Sequence, residues 1–165
     1  MSDPPIANLD EVDFDDVEEN GRYTSRRACF SRSIGARDLG YNLTVLPPGK
    51  AQCPFHNHRG EEEMFLVLEG AGTLRFGELE YPIGPRDVIA CPTGGPEVAH
   101  QIINTGAGEL RFLGISTLHE PEVVEYPDSR KFAVRAGMTE GDPRSAQFSY
   151  LGRGGDPLGY WDDEG

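Results

Sequence analysis

The stretch Gly49-Lys50-Ala51-Gln52-Cys53-Pro54-Phe55-His56-Asn57-His58-Arg59-Gly60-Glu61-Glu62-Glu63-Met64-Phe65-Leu66-Val67-Leu68-Glu69-Gly70 decides how this chain is read. His56 and His58 stand two residues apart, and on a strand residues i and i+2 point to the same face. Both imidazoles can therefore aim at one point, which is what a metal ion needs. Glu63 then opens an apolar strand, Met64 to Leu68, at the end facing the two histidines, and Gly70 marks the turn that closes it. A third histidine, His100, arrives after the later run Asp87-Val88-Ile89-Ala90-Cys91-Pro92. Three neutral imidazoles and one carboxylate make a mixed nitrogen and oxygen donor set suited to a divalent transition metal.

These residues resemble the two sequence motifs of the cupin superfamily. The first motif is a glycine, a spacer, His-x-His, three or four residues, Glu, six residues and Gly, and here Gly49, His56, His58, Glu63 and Gly70 take those places. The second is Pro-x-Gly, a spacer, His, three residues and Asn, matched by Pro92, Gly94, His100 and Asn104. The chain departs from the pattern at three points. The spacer from Gly49 to His56 is six residues, one longer than the commonest form; Arg86 stands where a glycine is usual before Asp87; and five residues, not two, separate Gly94 from His100. None of these removes a ligand, but the longer loop reshapes the rim of the site.

The resemblance covers roughly residues 37–120, and residues 125–131 further resemble a subset of small bacterial cupins of uncharacterised metal-binding type. It implies an all-β fold, a double-stranded β-helix or jelly-roll barrel, with extended N- and C-terminal arms. It also implies one divalent transition metal (Zn, Fe, Mn or Ni) per subunit, held by His56, His58, Glu63 and His100, and it favours a homodimer. It does not imply a substrate. Among the consecutive Glu61, Glu62 and Glu63, the motif selects Glu63, because six residues separate it from Gly70. Alternation then puts Glu63, Phe65 and Val67 on the interior face, with Glu62, Met64 and Leu66 pointing outward.

Composition agrees with many short strands. In 165 residues there are 21 Gly and 13 Pro, a turn-rich content that suits a sandwich or barrel and not a helical bundle. The length is that of one domain. The net charge of −13 repels phosphate backbones and anionic headgroups, so neither nucleic acid nor membrane is an expected partner. Seven carboxylates between Asp10 and Glu19 read as a solvated, mobile run, and Asp162, Asp163 and Glu164 add three more near the C-terminus. Three cysteines, Cys29, Cys53 and Cys91, form no close pair, which argues for a reducing compartment. The N-terminus shows no secretory signal, so a cytoplasmic location is expected.

Three regions follow. Residues 1–36 form an acidic arm whose Arg-rich part, Arg22, Arg26, Arg27 and Arg32, is either an edge strand reaching a second subunit or a solvated connector. Residues 37–120 form the barrel, with strands expected at 39–46, 63–69, 73–77, 79–83, 87–91, 99–104 and 110–118. Residues 121–165 form an extension: 120–127 a connector, 131–135 one more strand, and 137–159 an extended arm. Phe148, Tyr150, Tyr160 and Trp161 are expected to dock that arm on the barrel or on a partner.

Other candidates are weaker. His119 lies beyond the last core strand and reads as a surface residue. Cys53 and Cys91 lie near the site in sequence, though packing is the commoner fate of a buried thiol. Gln101 has opposite parity to His100 and should face away from the metal. Arg75 and Tyr41 could line a pocket for an anionic or hydroxylated ligand.

Four protein ligands leave one or two coordination positions open, which is the arrangement of an active or binding metal and not of a closed structural one. Two functions fit. The first is a metal-dependent enzyme, an oxygenase or isomerase acting on a small oxygen-rich molecule such as a sugar, sugar acid or diketone. The second is a non-catalytic module that binds or senses a sugar or organic acid.

Overall fold

The computed structural model describes residues 4–139, 143–155 and 159–162, so Asp163 and Glu164 of the acidic tail lie outside the described residues. The described residues form thirteen strands and three short 3-10 turns, with no α-helix. One wall is a six-stranded sheet in the order β1 (Asp16–Asn20), β2 (Tyr23–Cys29), β3 (Leu39–Leu46), β10 (Leu110–Thr117), β5 (Glu63–Glu69), β8 (Val88–Cys91). The other wall comes in two pieces. A three-stranded piece runs β7 (Leu79–Ile83), β6 (Gly72–Phe76), β9 (His100–Ile103), and a four-stranded piece runs β13 (Phe148–Gly152), β12 (Lys131–Ala136), β11 (Glu122–Tyr126), β4 (Asn57–His58). An antiparallel bridge between His56 and His100 joins the two pieces. The result is an all-β jelly-roll barrel.

The core lies between the six-stranded wall and the three-stranded piece. Leu46, Phe65, Val67 and Phe112 from the first meet Leu74 and Ile102 from the second, all at most 7% exposed. Phe65 and Phe112 meet edge to face at 5.7 Å, the geometry that aromatic quadrupoles favour. The alternation expected on β5 is observed: Phe65 and Val67 are buried, with Glu63 on the same face at the strand's open end. Glycine and asparagine of the two motifs hold the ends of this core together. The Gly49 N–H donates to the Asn104 carbonyl at 2.9 Å. The Asn104 side chain donates to the carbonyls of Leu46 and Gly108, both at 2.8 Å.

Two positions explain local backbone choices. Gly70 turns the chain from one wall to the other at φ +84°, and a Cβ there would lie 2.3 Å from the carbonyl oxygen of Glu109. Arg86, where the family pattern has glycine, keeps the left-handed backbone at φ 78°. The turn is held by its hydrogen bonds: Arg86 N–H to the Val67 carbonyl at 2.8 Å, and Gly84 N–H to the Asp87 carboxylate at 2.7 Å.

The arms differ from expectation. The acidic run contains β1, which pairs antiparallel with the Arg-rich β2, placing Asp16 opposite Arg27. Opposite charges across an antiparallel ladder attract, and Arg27 and Arg144 both bridge to Asp16. The Arg-rich segment therefore lies inside the sheet, between β1 and β3 of the same chain. Residues 122–126, read as a connector, form β11, whose Val124 and Glu125 pair with His58 and Asn57. β13 is held by its backbone ladder to β12 and by the Tyr150 ring against Phe132 at 5.3 Å, while Phe148 is exposed. Tyr160 and Trp161 touch each other edge to face, yet are 84% and 79% exposed, so they do not dock on the barrel.

Gly70→Ala combines a left-handed alanine with a backbone clash, and about 3 kcal/mol of lost stability is expected. Arg86→Gly removes a similar strain and is expected to gain up to about 1 kcal/mol. Urea unfolding of both variants checks this; a Gly70→Ala protein as stable as wild type would contradict the tight corner.

Candidate metal centre

Each site residue is placed by the ladder around it. His56 and His100 sit opposite each other across the bridge: the His56 N–H donates to the His100 carbonyl at 3.1 Å, and the His100 N–H to the His56 carbonyl at 2.7 Å. His58 lies two residues on, in β4, beside Val124 of β11. Glu63 comes from the opposite wall, at the start of β5, between Cys91 of β8 and Ser116 of β10. The site thus closes the barrel mouth from both sides.

The side chains converge. The Oε2 atom of Glu63 lies 2.9 Å from Nε2 of His100, 3.2 Å from Nε2 of His58 and 3.7 Å from Nε2 of His56. His56, His58 and Glu63 offer donor atoms within 4.8 Å of one another, and His100 joins them through its hydrogen bond to Glu63. All four residues that the sequence singled out therefore gather around the Glu63 carboxylate.

The far nitrogen of each ring is tethered. Nδ1 of His56 faces the Pro54 carbonyl at 2.9 Å, Nδ1 of His58 faces Glu122 Oε1 at 3.1 Å, and Nδ1 of His100 faces the Val98 carbonyl at 3.5 Å. With a metal bound, the acceptor at Nδ1 would keep the proton there and leave the Nε2 lone pair to the ion, the usual outer-shell arrangement of a metal-binding histidine. Nε2 of His58 is buried and faces the Glu63 carboxylate. Three imidazoles and a carboxylate turned toward one another make a mixed nitrogen and oxygen donor set of the kind divalent transition metals take. The residues present fit a divalent metal.

Charge is strongly coupled here. Burial raises the pKa of Glu63, but hydrogen bonds from His100, His56 and His58 outweigh it and hold the carboxyl well below its usual range. Burial opposes the charge on His58, yet hydrogen bonding to Glu122 and Glu63 lifts its pKa to about 9. His56 is likewise raised against its burial, by Cys53 and Glu63. Burial dominates at His100 and lowers it.

A cavity of about 690 Å³ opens onto the cluster and is lined by His56, His58 and Glu63, with Tyr41 and Phe65 among its walls. His100, 3% exposed, does not line it. Tyr41 is thus placed as one reading had it, but Arg75 is not. Its guanidinium forms a two-pronged bond with Asp128 at 2.6 and 2.9 Å and lies 3.7 Å over the Phe55 ring. Gln101 points away, donating to the Cys53 carbonyl at 2.7 Å. Cys91 is buried in the core, where burial raises its thiol pKa and keeps it inert. Cys53 lines the cavity with its sulfur 3.6 Å from His56 Nδ1, and His119 is exposed.

Sequence reasoning missed two carboxylates. Glu122, 3% exposed, orients His58, and its Oε2 is buried without a partner among the described residues. Glu61 lies 4.0 Å from His58 Nδ1, and burial together with Glu122 raises its pKa to about 7. His58, Glu61 and Glu122 form a second group able to hold an ion. The signal for Glu122 was the alternating, β-branched Glu122-Val123-Val124-Glu125-Tyr126, masked by the prolines on either side.

The model of the cupin domain matches residues 42–116 of this chain. Auxin-binding protein 1 of Arabidopsis thaliana is 32% identical over 134 residues, which are 76% of this chain and 65% of that protein. The chain thus spans just under two thirds of the length of this curated relative. A solved protein of Acidithiobacillus ferrooxidans, provisionally assigned as a sugar phosphate isomerase, is 31% identical, with a TM-score of 0.68 over 80% of this chain and 78% of that one. A sugar phosphate isomerase of the cupin superfamily from Silicibacter pomeroyi superposes with a TM-score of 0.71 at 26% identity, over 91% of this chain and 97% of that one. Motifs, barrel and relatives agree, and the chain belongs to the cupin superfamily.

Proposed function

We propose that the protein is a metal-dependent enzyme acting on a small oxygen-rich molecule, with one divalent transition metal held by His56, His58, Glu63 and His100. The observation that carries this reading is the convergence of three Nε2 atoms on one Glu63 oxygen at the floor of an open cavity. When bound, such a metal supplies Lewis acidity to a substrate oxygen. The chain's own residues do the rest. Glu122 and the carbonyls of Pro54 and Val98 fix the imidazole tautomers and ring angles. Phe65 gives the cavity an apolar floor beside Glu63, where electrostatic interactions are stronger than in water. The two solved relatives described as sugar phosphate isomerases support a sugar-like, oxygen-rich substrate.

A second reading is a binding module without turnover. It is favoured by the names of curated relatives, which are auxin-binding proteins and an oxalate-binding protein.

Protein purified without added metal is expected to carry about one equivalent of a transition metal and to convert at least one member of a panel of sugar phosphates, sugar acids and diketones. His58→Ala should lose most of both, as read by plasma emission spectroscopy and product analysis. Unchanged metal content in that variant would refute the ligand set; full metal with no turnover across the panel would favour the binding module.

Proton linkage gives an independent check. With a pKa of about 9, His58 holds its second proton at pH 7 when no metal is bound. A metal needs that lone pair, so loading must expel the proton and affinity must rise as pH climbs toward 9. Calorimetric zinc titrations in two buffers of different ionisation enthalpy should show net proton release at pH 7. Zero release would contradict binding through His58.

A further inference from the structure

The cavity has a second chemical character that the metal cluster does not use. Four arginines line it, Arg27, Arg32, Arg135 and Arg144. They come from β2, the segment after it, β12 and the turn Pro143–Ser145. This gathers four of the chain's 15 basic residues on one cavity in a protein of net charge −13. Outside the Glu61, Glu63 and Glu122 group around the histidines, the acids lining it are Asp15 and Asp16. Asp16 is shared, bridging to both Arg27 and Arg144.

Arg135 stands apart from the others. It is half-buried and lies opposite Glu122 in the β11–β12 ladder. Across an antiparallel ladder, directly paired residues share a face. Arg135 therefore extends from the same face as the carboxylate that orients His58, and both line the cavity. Yet no hydrogen bond or ion pair joins the Arg135 guanidinium to any group among the described residues. A guanidinium with five donors, partly withdrawn from water and unpaired, lowers its free energy most by meeting a planar or tetrahedral oxyanion.

We propose that the ligand of this cavity carries an anionic group, carboxylate or phosphate, and that Arg135 is its principal contact, with Arg27 and Arg144 completing a guanidinium wall. The ligand's neutral oxygens then face the histidine cluster. This rests on the metal-centre reading for the ligand's orientation, but the anion site itself does not need the metal. Arg135 is accordingly a specificity-determining residue: it separates charged substrates from neutral sugars of the same size. The wall also opposes the repulsion that the negative surface imposes on an incoming anion.

The test uses the full chain, as purified and after chelation with EDTA, titrated calorimetrically with inorganic phosphate, with malonate and with neutral glycerol. Wild type should bind phosphate or malonate and not glycerol, and binding should persist after chelation. The tighter of the two anions identifies the ligand as a phosphate ester or a carboxylate. Arg135→Gln should weaken that binding about tenfold or more, with metal content and urea midpoint unchanged, and Arg135→Lys should recover part of it. Equal anion affinity in wild type and Arg135→Gln would overturn the proposal, as would the absence of binding by either anion. Anion binding that disappears with EDTA would assign the anion to the metal and also overturn it. Loss of metal from His58→Ala has no bearing on these outcomes, so failure of the metal reading and failure of the anion site are told apart.

Discussion

The double hydrogen bond between the backbones of His56 and His100 is the constraint on which the rest depends. It joins the three-stranded and four-stranded pieces into one wall, and so closes the barrel. The same two bonds place two imidazoles side by side, with ring centres 4.5 Å apart. In a closely paired antiparallel bridge the side chains of opposite residues share a face and stay near each other. Fold and site are therefore not separable here: the contact that completes the sheet also delivers half of the donor set. His58 then follows by strand alternation, and Glu63 by the β5 strand that crosses from the other wall.

Convergence alone would leave four polar groups crowded in a buried pocket. What makes the cluster chemically ordered is the layer behind it. Two carbonyls and the buried Glu122 accept at the Nδ1 positions, so the three Nε2 atoms face inward. Charge follows from this geometry. A carboxylate kept ionised by three imidazoles, with His58 raised toward 9, describes a site that stores positive charge as protons. A cation of higher charge would take the place of those protons. Four arginines line the same cavity, so groups of both chemical kinds face its interior.

Much of this was legible in the sequence because it is local. The strands from 39–46 through 110–117 were marked by alternation and by glycine or proline turns, and their observed bounds fall within a residue or two of those expected. His56, His58, Glu63 and His100 were marked by spacing and by the family pattern. What was not legible depends on partners distant in sequence. The acidic run forms β1 only because the arginines of β2 lie opposite it. β11 reads as a connector until β4 and β12 hydrogen-bond to either side of it, and with it Glu122 was overlooked. Tyr160 and Trp161 resemble anchors by residue type, but nothing in their own sequence says whether an apolar surface lies within reach. Arg75 looked free to bind a ligand because Asp128, its partner, lies 53 residues away.

The most direct measurement is a crystal structure of metal-loaded protein with anomalous data collected on both sides of the metal's absorption edge. A single peak should appear with Nε2 of His56, His58 and His100 and an oxygen of Glu63 around it at about 2.0–2.2 Å. A peak instead between Nδ1 of His58, Glu61 and Glu122, or one that His100 does not reach, would contradict the account.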